Sequence, residues 1–148
     1  MEITIWGVLT GAILPLFGYL AFHYLASSRE KSSRLAKACQ DFRVAVIEAT
    51  SKIPKSNKHW DNDVLNEIPD AIRKIETAVA IFKYFLRGCK SKDLENEFTS
   101  LRALAEKDIP QALTTENVMY GGGQHTPEQA RSLFWEKIEE LKRYAKKT

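Results

Sequence analysis

Three histidines and two cysteines are the side chains of this sequence best suited to metal or nucleophilic chemistry, and they are scattered: His23, His59 and His125, Cys39 and Cys89. A zinc site needs clustered donors such as H-E-x-x-H or paired C-x-x-C, because one ion gathers about four ligands within bonding reach. No such cluster occurs. Cys39 and Cys89 fall on apolar faces of helical patterns, which suits inert buried thiols. Both are expected as free thiols in a reducing compartment, and as a candidate disulfide pair in an oxidising one. Asp61, Asp63, Glu67 and Asp70 are hard-cation donors in principle. Lys55, Lys58 and the loop setting around them favour a solvated charged surface instead. Gly121-Gly122-Gly123-Gln124-His125 is glycine-rich, yet it lacks the Lys-Ser/Thr of a phosphate-binding loop and follows no strand. No Ser-His-Asp or Cys-His arrangement can be assembled either. The expectation is therefore no catalytic, metal-binding or cofactor-binding residues, no small-molecule substrate and no enzyme.

Residues 3–26, ITIWGVLTGAILPLFGYLAFHYLA, organise the rest of the chain. They contain no Lys, Arg, Asp or Glu, and at about 1.5 Å rise per residue they are long enough to cross a hydrocarbon core of roughly 30 Å. The expected element is an uncleaved transmembrane helix. A cleaved signal peptide is the alternative, disfavoured by the missing basic leader and by the length of the run. Arg29, Lys31, Arg34 and Lys37 follow the span directly, against one Glu30. By the positive-inside rule the C-terminal part faces the cytoplasm and the N-terminus lies outside, in the inner (cytoplasmic) membrane. Trp6, Tyr19 and Tyr24 suit interfacial aromatic belts. Gly7 and Gly11 form a G-x-x-x-G pair whose face continues through Pro15 and Gly18, a strip on which another membrane helix can pack closely. Pro15 is expected to kink the helix. His23 lies near the cytoplasmic end, where an interfacial histidine is favoured over a proton relay.

Behind the anchor, residues 27–34 read as a polar juxtamembrane stalk and residues 35–146 as one helical domain. That length suffices for a core without disulfides or metals. Residues 27–148 keep all 22 basic residues and lose only Glu2 of the 19 acidic ones. Such a mild excess is far from a nucleic-acid footprint. Apolar residues at helical spacing predict helices over about 35–53, 64–87, 92–106 and 127–145, with a long loop over 107–126. Pro54 stops the first, and Pro69 marks the first turn of the second. Gly88 is its expected C-cap, and Ser91 the cap of the third. Thr126-Pro127-Glu128-Gln129 spells a capping box with proline at the first position. Strand-type alternation is missing. The fold class is all-α, one transmembrane helix followed by an antiparallel bundle of about four helices.

With Ala38, Phe42-Arg43, Ile75-Glu76-Thr77-Ala78-Val79, Phe82, Phe85-Leu86 and Phe98, the chain resembles small bacterial single-pass membrane proteins that carry a helical cytoplasmic region. The resemblance runs over roughly residues 1–100. It implies an anchored all-α architecture and brings no activity with it.

If the bundle runs down, up, down, up from the membrane, three basic clusters gather at the membrane end: Arg29, Lys31, Arg34 and Lys37; Arg87, Lys90 and Lys92; and Lys142, Arg143, Lys146 and Lys147. Each cation near an anionic leaflet contributes about 1 kcal/mol. Complementing helix dipoles is the other role open to the last two clusters. The loops carrying Trp60 and Tyr120 would then lie at the far end, as candidate partner contacts or as covers of the bundle end. The expected partners are membrane lipid and either a protein partner or a second copy. Three readings follow. The first is a membrane-anchored interaction or scaffold protein. The second is a membrane-perturbing effector, of toxin or phage-lesion type, that oligomerises through its glycine face. The third is a periplasmic domain released from a signal peptide.

Overall fold

Apolar side chains three and four residues apart give each helix of this chain one greasy face, and burying those faces against one another builds the fold. The structure, a computed structural model, describes residues 5–55, 60–113 and 125–146, with the backbone alone over residues 5–21 and at 23. It is all-helical, with no strand among the described residues. The elements are α1 (Ile5–Ala49), α2 (Asn62–Phe82), a 3₁₀ turn (Lys83–Phe85), α3 (Cys89–Ala103), a π turn (Leu104–Asp108), α4 (Ile109–Leu113) and α5 (Pro127–Tyr144). The chain divides into two compact units, Met1–Lys37 and Ala38–Thr148, the boundary falling inside α1.

In the first unit the expected stalk at residues 27–34 is not a separate element. It is ordinary α-helix, continuous with what precedes and follows it. Nothing in ASSREKSS breaks a helix, and the i,i+4 pair of Glu30 with Arg34 supports it. Phe22, Tyr24 and Leu25 stand exposed at 75, 76 and 56%. Among the described residues no helix is long and apolar enough to cross a membrane. The span expected over residues 3–26 has most of its side chains outside the described residues.

The second unit is an antiparallel bundle whose register is written in its cross-helix pairs. Phe42 of α1 stacks on Phe82 of α2 with ring centroids 4.5 Å apart. At the opposite end of these two helices Lys52 reaches Glu67 at 3.0 Å. Lys83 pairs with Glu95 at 2.7 Å and Arg102 with Glu76 at 3.3 Å, so α2 and α3 also run in opposite directions. Lys137 joins α5 to Glu97 of α3 at 3.1 Å. Between the helices lie Val46, Ile75, Phe82, Leu94, Leu101, Ile109, Phe134, Ile138 and Leu141, all essentially sealed from solvent.

Several boundaries differ from those read off the sequence, each for a local reason. The end of α1 falls at Ala49 rather than residue 53. Thr50 and Ser51 turn their hydroxyls back onto the Val46 and Glu48 carbonyls, at 2.9 and 2.8 Å, and an irregular turn leads into Pro54. Pro69 lies inside α2, not at its start. Asp61 caps the helix by accepting from the Val64 N–H at 3.0 Å, and Val64 and Ile68 are buried ahead of the proline, so packing holds the first turns. Gly88 is the residue before α3 rather than the C-cap of α2, with φ +59 and ψ −125, a conformation essentially reserved for glycine. Ser91 is consequently inside α3.

The largest difference is at residues 107–113, expected as loop and observed as helix. The Ile109 N–H bonds the Leu104 carbonyl five residues back, and this widened turn directly precedes Pro110. Proline brings no N–H and crowds the carbonyl four residues before it, so the wider turn lets the helix pass. Ile109 and Ala112 then reach the core at 0 and 2% exposure. The α5 start has its capping box, Thr126 N–H to Gln129 Oε1 at 2.9 Å and Gln129 N–H to Thr126 Oγ1 at 3.3 Å.

Candidate functional site

The two ends of the Ala38–Thr148 bundle are built from different residues. At the α1–α2 connection one carbonyl, that of Pro54, accepts two indole N–H groups, from Trp60 at 3.1 Å and from Trp135 at 3.0 Å. Phe134 packs edge-on to both rings, with centroids 5.5 and 5.8 Å away. Trp60 is 2% exposed. This removes it from the candidate partner contacts, because its ring is spent closing the bundle end. Tyr120 lies outside the described residues.

The opposite end holds the α2–α3 connection. The buried stripe of α2 runs through Ile72, Ile75, Val79 and Phe82, and Leu86 continues the packing after the 3₁₀ turn. Three large apolar residues fall off that stripe and point outward: Ile81 at 60%, Tyr84 at 84% and Phe85 at 42% exposure. Around them the sequence from residue 77 to residue 92 contains no acid and four cations, Lys83, Arg87, Lys90 and Lys92. Lys83 is held by Glu95, whose hydrogen bond raises the ammonium pKa. Arg87 and Lys92 are exposed. The end of α5 arrives at the same place. A hollow of about 340 Å³ between α3 and α5 is lined by Lys90, Asp93, Glu97, Glu140, Arg143 and Tyr144. Burial and the carboxylates of Glu97 and Asp93 push the Tyr144 phenol up.

Of the cations singled out in the sequence, Arg143 and Lys146 are exposed at this end, Lys142 is held by Glu139, and Lys147 lies outside the described residues. The basic groups of the α3 start and the α5 end thus meet, as the antiparallel topology requires. Arg29, Lys31, Arg34 and Lys37 are all exposed on α1 in the first unit. The helix-packing strip Gly7, Gly11 and Gly18 lies on backbone that is helical, and what packs against it is outside the described residues. Cys39 is buried, but Cys89 is exposed, against the apolar face expected for it. It opens α3, and the early break of α2 after Phe82 moves it off the helix pattern that would have buried it.

Of the four acidic residues weighed as cation donors, Asp63 is exposed in the first turn of α2 and the other three are occupied locally. Asp61 caps α2, Glu67 holds Lys52, and Asp70 is held by Lys74 at 2.7 Å, which lowers its carboxylate pKa. No three His, Cys, Asp or Glu side chains come together among the described residues in a way that would hold a metal ion.

A shallow groove of about 440 Å³ runs between α2 and the π turn, floored by Leu65, Ile68, Ile72 and Ala105 between Pro69 and Pro110. Its rim charges are matched among themselves. Arg102 donates from Nε to Glu106 at 2.7 Å and from Nη1 to Glu76 at 3.3 Å, and these partners raise its pKa.

Sequence reasoning missed Ile81, Tyr84 and Phe85. The available signal was the acid-free run of residues 77–92 combined with apolar residues out of phase with the buried stripe. Comparison with protein-family models, with curated proteins and with solved structures gives no match for this chain.

One electrostatic cluster has a measurable pH signature. Lys137 bridges Glu140 at 2.9 Å and Glu97 at 3.1 Å, with all three side chains about 70% covered. The hydrogen bond from Lys137 lowers the Glu140 pKa from its ordinary 4.5, and those of Glu140 and then Glu97 raise the Lys137 pKa above 10.5. A lowered carboxylate contributes stability that is complete above 4.5 and is lost as pH falls through the folded value. A raised ammonium contributes stability that is complete below 10.5 and is lost as pH rises through the folded value. Lys137→Met should therefore flatten the acid limb of a stability–pH profile, removing about 0.2–1 kcal/mol per pair at pH 7. An acid limb identical to that of the parent chain would show that the bridge contributes nothing.

Proposed function

We propose that this protein is a membrane-tethered helical interaction protein, with residues 3–26 as its anchor and the Ala38–Thr148 bundle as its working part on the cytoplasmic face. The observation that carries the reading is the uncharged run of residues 3–26, helical from Ile5, which ends in exposed Phe22, Tyr24 and Leu25. Large apolar side chains displayed together on one helix call for an apolar environment supplied from outside the chain. The basic residues Arg29, Lys31, Arg34 and Lys37 follow at the distance where lipid headgroups would accept them. Binding is the role this reading gives to the surface of the bundle. Val44 and Ile47, one turn apart on α1 and 45 and 52% exposed, are where a protein partner would find apolar contact.

The test is extraction. The full chain should stay with membranes through an alkaline carbonate wash, and a chain lacking residues 3–26 should move entirely to the supernatant. Recovery of the full chain in the carbonate supernatant would overturn the tether. Cys89, being exposed, then reports orientation: a membrane-impermeant maleimide should label it only after permeabilisation.

A further inference from the structure

The α2–α3 end of the bundle combines three features that no core requirement explains. Ile81 and Tyr84 project from it mostly uncovered, and Phe85 is partly so. Arg87 and Lys92 flank them, and Arg143 joins from the end of α5. The carboxylates nearby are largely committed elsewhere: Glu95 to Lys83, Glu97 and Glu140 to Lys137. Asp93 follows Lys92, and Arg143 shares its hollow with acids, but the segment that carries the apolar side chains is itself basic, and such an aromatic and aliphatic tip is complementary to one kind of surface, an anionic lipid leaflet. Its apolar side chains can enter the headgroup–acyl boundary while guanidinium and ammonium groups meet phosphates. Tyrosine suits this depth, with a ring for the apolar side and a hydroxyl for the wet one. Connectivity adds a second argument. Within this unit, the part of α1 that follows Ala38 lies at the same end, where Phe42 stacks on Phe82.

We propose that the α2–α3 tip is a second membrane contact, a foot that inserts Ile81, Tyr84 and Phe85 into an anionic leaflet and holds there through Arg87, Lys92 and Arg143. The inference rests on the tethered reading and deepens it: the anchor retains the chain, and the foot fixes how the bundle faces the bilayer. A protein partner would prefer matched charges of both signs around an apolar centre, whereas residues 77–92, which carry the three apolar side chains, hold cations and no acid.

The experiment places a nitroxide label at Tyr84→Cys, in the full chain carrying Cys89→Ser, with a second label at Glu128→Cys on the opposite end as reference. The chains are reconstituted into bilayers of phosphatidylcholine alone or with phosphatidylglycerol. Co-flotation reports the anchor, and accessibility to oxygen against a water-soluble nickel complex reports label depth. In the anionic bilayer the oxygen-to-nickel ratio at position 84 should exceed that at position 128 several-fold. The excess should vanish in pure phosphatidylcholine and in the Arg87→Glu, Lys92→Glu variant. A chain that co-floats while its position-84 label stays aqueous overturns the foot and leaves the anchor standing. Failure to co-float with anionic bilayers overturns both. Dipolar broadening at position 84, independent of lipid charge, would assign the tip to a second copy of the chain and overturn the lipid contact.

Discussion

Phe134→Ala should be the most damaging single truncation in the bundle, lowering stability by about 3–5 kcal/mol and the melting temperature by about 10 °C or more. Phe134 is completely buried and lies edge-on to Trp60 and Trp135. Removing it empties the space against which both indoles are set. The two N–H groups that converge on the Pro54 carbonyl then lose the packing that aims them. Loss of a well-aimed hydrogen bond costs about 1 kcal/mol in its own right, so the cavity dominates and the bonds add to it. Thermal unfolding of the full chain in mild detergent, followed by circular dichroism, checks the total. Tryptophan emission separates the contributions: a red shift in the folded variant would report that Trp60 or Trp135 has become wet. A drop below 1 kcal/mol, with unchanged emission, would mean that this end of the bundle is not closed by the three-ring cluster. Trp135→Phe is the informative companion, since it keeps a ring and deletes one N–H. Its cost should stay near that of one hydrogen bond.

Phe82→Ala should cost a similar 3–5 kcal/mol but with a different consequence along the chain. Phe82 is 1% exposed and stacks on Phe42 with the rings 14° from parallel. That contact ties the last turns of α1 to α2 at the end where the 3₁₀ turn begins. Its loss should loosen residues 38–49 of α1 selectively, because their other buried side chains, Cys39, Val46 and Ala49, are small. Amide exchange by mass spectrometry should show this segment accelerating far more than α5. A uniform increase over all helices would mean that α1 and α2 unfold with the whole bundle. Phe42→Leu keeps the apolar area and removes only the ring stacking, for which about 0.5–1.5 kcal/mol is expected. A double-mutant cycle between positions 42 and 82 measures the coupling directly.

Both predictions concern stability because the described residues put their unusual chemistry into holding the fold. Asp61 is a helix cap, and Glu67 and Asp70 are partners of nearby lysines. Trp60, for which a partner contact and a cover of the bundle end were both open, is the cover. At the α2–α3 tip, residues 77–92 project apolar and basic side chains and no acidic one.

What the amino-acid sequence determined by itself is the local grammar. Stripes such as Ala130, Phe134, Ile138, Leu141 and Ala145 carry the period of a helix and name its buried face without reference to anything else. The Thr126–Gln129 capping box is equally local, satisfied by atoms three residues apart. The absence of alternating patterns was enough to make the domain all-α. The positions that only tertiary structure decided are those where a neighbour overrode local preference. Pro69 and Pro110 each argue for a helix boundary, yet burial of Ile68, Ile109 and Ala112 carries helix through both, in the second case by widening one turn. Gly88 reads as a terminator of the helix before it, but the chain turns at Lys83–Phe85 and spends the glycine's positive φ opening the helix after it. The same three-residue shift exposes Tyr84, Phe85 and Cys89. Periodicity reports which face of a helix is apolar; it does not report where a turn will rotate that face out of register, because the turn is set by what Phe82 and Leu86 bury against.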